Sequence, residues 1–130
     1  GLSEELLKIS FRRAIFCQKL SGFIPDFPAS SDEAYLLGMF STLGVLLDVP
    51  QEEAVRQLPL SDEIKDGLTG VPGQCGDLLG LCVAYEKGHW TKMGRFAEKL
   101  NVPTHIIAQE YFESIEYVNE IWGSVMRGKQ

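Results

Sequence analysis

The chain has 130 residues, 45% of them hydrophobic and 23% charged, with a net charge of −6 at neutral pH. That length suits one domain able to bury about two-thirds of its unfolded surface. The acidic balance argues against a nucleic-acid or anionic-membrane surface, because both need clustered Lys and Arg.

In chain order, Leu2 to about Leu20 reads as a helix capped by Ser3 or a residue beside it. Leu2, Leu6, Ile9, Ala14 and Phe16 lie near one face, and Gly22 ends the pattern. This helix is basic, with Lys8, Arg12, Arg13 and Lys19 against Glu4 and Glu5, whereas Asp48 to Asp66 is acidic. Both are read as solvated faces, with complementary docking surfaces as the sharper alternative. Phe23 to Pro28 contains two prolines and cannot be helical throughout.

The central stretch runs from about Asp32 to Leu47. Between Ala34 and Leu47 only Ser41 and Thr42 are polar, so no solvent face can be drawn and the pattern predicts one buried helix. Ser30 and Glu33 form a capping box that opens it. It falls short of the roughly 20 residues that span a bilayer. Gly38, Ser41, Thr42 and Gly44 are small enough for a neighbouring backbone to approach closely.

Pro50 opens a short helix that Pro59 stops, and Ser61 caps another that ends near Gly67 to Gly70. Helices follow from about Cys75 to Lys87, ended by Gly88, and from His89 to Leu100, ended by Asn101. Pro103 opens the last helix, where Ile107, Tyr111, Ile115, Val118 and Trp122 recur at steps of three and four. Gly123 and the Arg127–Gln130 tail are expected to end the order. No alternating strand is evident. The reading is an all-α single domain over residues 1–130, with about six to seven helices around the central one.

Catalytic chemistry is thin. His89 and His105 stand apart with no acidic partner at ligand spacing, and no zinc or phosphate-loop motif occurs. The carboxylates sit mostly in first turns of helices, where they complement the dipole. Cys17, Cys75 and Cys82 are too few for a disulfide framework; they fit a reducing cytoplasm and serve as small apolar fillers. Tyr35, Trp90, Tyr111 and Trp122 are read as core residues rather than the lining of a ligand pocket. No stretch reads as a signal peptide or membrane span, and a cytoplasmic location is expected. A start at Gly1, directly in a helical pattern, reads as a piece cut from a longer protein.

Several stretches together resemble the HDOD domain, an output module related to the HD superfamily of metal-dependent phosphohydrolases. They are Arg12-Arg13-Ala14-Ile15-Phe16-Cys17, Glu33-Ala34-Tyr35-Leu36-Leu37-Gly38-Met39-Phe40-Ser41, Leu58-Pro59-Leu60-Ser61-Asp62-Glu63-Ile64 and Ala84-Tyr85-Glu86-Lys87-Gly88-His89-Trp90. The resemblance spans about Leu2 to Trp122 and is closer to bacterial proteins in which an EAL domain of cyclic-di-GMP signalling precedes HDOD. In the HD superfamily the corresponding central helix carries an apolar-His-Asp-apolar-Gly motif whose His and Asp bind metal. Here Ser41 and Thr42 stand at that pair, and a neutral hydroxyl is a poor ligand for a hydrolytic metal.

The resemblance therefore implies the C-terminal portion of an HDOD-like domain, without upstream helices or EAL domain, and with no catalytic residue, metal or cofactor. Its expected role is non-catalytic signal transduction through contacts with a signalling protein or its own upstream domain, linked to cyclic-di-GMP. A residual metal-dependent phosphohydrolase is the alternative. Arg12 and Arg13 are candidate contact residues. Phe23, Ile24 and Phe27 are candidates for apolar surface left exposed where missing helices would pack.

Overall fold

The structure, a computed structural model, describes residues 1–128. The described residues form an all-helical single domain: α1 (Leu2–Ser21), α2 (Ser31–Met39), α3 (Leu43–Leu47), α4 (Gln51–Arg56), α5 (Asp62–Thr69), α6 (Gln74–Lys87), α7 (Trp90–Leu100) and α8 (Thr104–Gly128). A 3₁₀ turn, Phe40–Thr42, joins α2 to α3. Counted as one interrupted helix, that pair brings the total to the seven expected.

Local capping chemistry accounts for most boundaries. Glu33 N donates to Ser30 Oγ at 3.1 Å and Ser30 N donates to Glu33 Oε1 at 3.0 Å, closing the capping box of α2. Ser61 Oγ accepts from Ile64 N at the start of α5. Gly70, Gly88 and Asn101 take left-handed conformations that end α5, α6 and α7. At the first helix the cap residue is Gly1, with no side-chain cap, and Ser3 lies inside the helix.

Two helix expectations are corrected. The central helix does not run unbroken from 32 to 47. Ser41 Oγ donates to Gly38 O at 2.7 Å, offering the backbone a local alternative to the helical ladder. Gln51, at the start of α4, then bridges the break: its Nε2 donates to Phe40 O and its Oε1 accepts from Gly44 N, both at 2.8 Å. One side chain thus satisfies the Gly44 amide left free by the interruption and adds a second bond to the Phe40 carbonyl, which also accepts from Leu43 N. Beyond the break the helix leaves the core, with Val45 at 67% and Leu47 at 57% exposure. At the other end of the chain, Gly123 does not end α8, which continues to Gly128. A glycine lowers helix propensity by about 1 kcal/mol without forbidding it. Lys129 and Gln130 of the expected tail lie outside the described residues.

α1 is the axis of packing: it crosses α2 most extensively and also contacts α8 and α6. The crossing with α2 depends on Gly38, because a Cβ there would collide with the Arg13 carbonyl and the Ala14 nitrogen. Phe16, Leu20, Leu37, Ile64, Leu78 and Leu81 form the centre of the core. All three cysteines are buried and free, with Cys17 Sγ 3.5 Å from Cys82 Sγ. No described helix is long and apolar enough to cross a membrane.

Candidate functional site

Four α1 residues, Ile9, Arg12, Arg13 and Phe16, follow the i, i+3, i+4, i+7 rhythm and form one stripe. That stripe makes one wall of a cavity of about 320 Å³. The last turn of α6 contributes Glu86 and Lys87, and α8 contributes Tyr111, Ser114 and Ile115 at the same helical spacing.

Arg13 and Glu86 dominate the floor. Arg13 Nε donates to both Glu86 carboxylate oxygens at 3.1 Å, and Nη2 lies 3.0 Å from Oε2. Arg13 Nη1 reaches the other way and donates to Ser41 Oγ at 3.3 Å. The guanidinium therefore links α6 to the interrupted central helix. Burial pushes the Glu86 carboxyl above the ordinary value of 4.5, and Arg13, Arg12 and Lys87 oppose that shift. Arg12 is differently placed: its Nε is enclosed and has no hydrogen-bond partner. That donor is packed behind the cavity wall, out of reach of solvent.

Aromatic rings frame the site. Phe16 meets Tyr111 edge-on at 5.3 Å between centroids, and Tyr85 lies 4.6 Å from Tyr111. Tyr85 also meets Trp90 at 5.2 Å. Tyr111, expected only as core, lines the cavity; Tyr35, Trp90 and Trp122 do not, and Trp90, also expected as core, is 58% exposed because it opens α7 at the surface.

The hydroxyls of Ser41 and Thr42, where the resemblance would place a metal-binding pair, are both engaged. Thr42 is buried, and its hydroxyl pairs with that of Ser10 on α1. Ser41 lies between Gly38 O and Arg13. Among the described residues no three His, Cys, Asp or Glu side chains are grouped as a metal site.

The candidate apolar surface divides. Phe23 is exposed at 46%, but Ile24 is 5% exposed and belongs to the core. Phe27 is half-buried and packs against that core. The backbone reverses after α1 through Phe23 N to Leu20 O and Ile24 N to Ser21 O, which turns Ile24 inward. Of the three, only Phe23 offers the expected surface. Arg12 and Arg13 are likewise not on an open face but in the cavity wall.

Glu86, Ser114 and Lys87 escaped the sequence reading. A signal for Glu86 exists: it falls four residues after Cys82 and seven after Leu79, on a stripe otherwise apolar. A charge on such a stripe needs a partner. Which basic residue supplies it is a long-range matter, 73 positions away.

Known proteins share this chain over most of its length. The chain is 36% identical over 118 residues to the cyclic di-GMP phosphodiesterase CdgJ of Vibrio cholerae, covering 91% of this chain and 27% of that protein. It is 32% identical over 120 residues to the protein YuxH of Bacillus subtilis, covering 90% of this chain and 28% of that protein. The chain thus spans little more than a quarter of the length of these relatives. No family model matches it, and no solved structure does. The matched part of CdgJ is thus a segment of about the size of this helical domain within a longer cyclic di-GMP phosphodiesterase.

Proposed function

We propose that the chain is a non-catalytic regulatory module of the HDOD type in bacterial cyclic-di-GMP signalling. It acts in the cytoplasm by helix contacts with a signalling enzyme, either its own upstream domain or a separate protein. The observation that carries this reading is the engagement of Ser41 and Thr42. Where the HD superfamily would place metal ligands, both hydroxyls bond α1 and the adjacent backbone, tying helices together. The match to only 27% of a cyclic di-GMP phosphodiesterase supports a module that works beside a catalytic part. The net charge of −6 favours protein contacts over nucleic acid.

Two measurements test it. The purified chain, incubated with cyclic di-GMP and Mg²⁺, Mn²⁺ or Ni²⁺, is expected to release no product. In the Vibrio cholerae relative, deleting the matched segment should change the hydrolysis rate, and grafting this chain in its place should restore it. Metal-dependent hydrolysis by the isolated chain would overturn the non-catalytic reading.

A further inference from the structure

The cavity between α1, α6 and α8 is not needed for a role that rests on helix contacts, and its chemistry is not that of a packing void. Empty interior voids are apolar, and polar ones hold ordered water or a ligand. Here three cations, Arg12, Arg13 and Lys87, share the wall with one carboxylate, Glu86. Arg13 is committed to Glu86, so Arg12 and Lys87 remain as uncompensated positive charge. Arg12 is half-buried in that wall and Lys87 stands at its exposed rim.

Two excess positive charges match a phosphate monoester, which carries about −1.5 to −2 at neutral pH, better than a single carboxylate. A guanidinium also presents a planar fork suited to phosphate oxygens. Beside this charged end lie the Tyr111 ring and the side chains of Ile9 and Ile115, a surface for a flat apolar group. The volume of about 320 Å³ sits at the lower end of ligand pockets, which run roughly 300–1,000 Å³. It suits one base, sugar and phosphate and is small for a cyclic dinucleotide.

We infer that this cavity binds a small phosphorylated aromatic molecule of mononucleotide size, with Arg12 and Lys87 holding the phosphate and Tyr111 facing the ring. The inference stands apart from the contact-mediated role and survives or fails without it. Occupancy has a built-in reporter, because Tyr111 adjoins Tyr85 and Tyr85 adjoins Trp90.

Calorimetric titration of the full chain tests the site, with fluorescence in parallel on a Trp122→Phe variant that leaves Trp90 as the single tryptophan. The probes are adenosine and guanosine monophosphate, the two unphosphorylated nucleosides, inorganic phosphate and cyclic di-GMP. At least one monophosphate is expected to bind with a Kd below about 1 mM. Its nucleoside and inorganic phosphate should each bind about tenfold or more weakly, since each lacks half of the complementary surface. Arg12→Gln should lose about tenfold in affinity. Lys87→Gln, at an exposed position, should weaken binding in the same direction and serves as the test if Arg12→Gln fails to fold. Three outcomes would overturn the inference: no monophosphate binding at millimolar concentration, affinity unchanged in both folded variants, or cyclic di-GMP binding as tightly as the monophosphates.

Discussion

Arg13 holds Glu86 through both carboxylate oxygens, Nε 3.1 Å from each, joining α1 to the last turn of α6. The pair is half-buried, with side-chain exposures of 15% and 21%. Removing the arginine alone would leave a carboxylate that burial already disfavours in its charged form. Arg13→Ala is expected to destabilise the domain by about 2 kcal/mol at pH 7. The sign of the pH dependence follows from the raised Glu86 pKa. A carboxyl whose folded pKa exceeds its unfolded value contributes stability that is present below the unfolded value and lost as pH rises through the folded one. Without Arg13 the folded pKa rises further, so that loss extends to higher pH. The deficit of Arg13→Ala relative to the parent should therefore shrink as pH falls from 7 toward about 4.5. Urea titrations of both proteins across that range measure it, and a deficit independent of pH would show that the pair is not coupled to Glu86 ionisation.

Gly38 and Gly94 should respond oppositely to alanine. A Cβ on Gly38 collides with backbone atoms of Arg13 and Ala14, which cannot move without separating α1 from α2. Gly38→Ala is expected to cost about 3 kcal/mol or to prevent folding. Gly94, inside α7, has nothing within 4 Å of the point where a Cβ would stand. Gly94→Ala should instead raise stability by about 0.5–1 kcal/mol through helix propensity. Thermal melts of the two variants decide it, and equal effects would contradict the close crossing.

Placing histidine and aspartate at positions 41 and 42 should not create a metal site. Ser41→His with Thr42→Asp removes the Thr42–Ser10 pairing and the Ser41 bonds to Gly38 and Arg13, and puts a carboxylate at a buried position. The expected cost is about 2 kcal/mol or more. Melting with and without Mn²⁺ or Ni²⁺ should show no metal-dependent stabilisation. A double mutant that melts like the parent would contradict the burial of Thr42.

The thiols should be inert in the folded state. Cys17 and Cys82 are fully buried in contact with each other, and burial pushes the Cys82 thiol well up. The Cys75 thiol is pushed up to about 11, by burial first and by Glu63 and Glu33 next. A thiol-specific chromogenic reagent at pH 8 should find no fast-reacting thiol in the native protein and all three after denaturation. A rapid native phase would place one of them at the surface.

Helix limits set by neighbouring residues were legible in the sequence: the Ser30–Glu33 capping box, the Ser61 cap, and the left-handed ends at Gly88 and Asn101. So was the close approach permitted by Gly38. These features depend on hydrogen bonds and sterics within a turn or two, which the chain carries whether or not it is folded. The tertiary structure decided the rest. The central helix breaks where Gln51 captures Phe40 and Gly44, and Ile24 turns inward while Phe23 stays out. The cavity needs Arg12 and Arg13 from α1, Glu86 from α6 and Tyr111 from α8 to meet. Each of these outcomes is a pairing between distant segments, and periodicity says which face a residue occupies, never which partner that face will find.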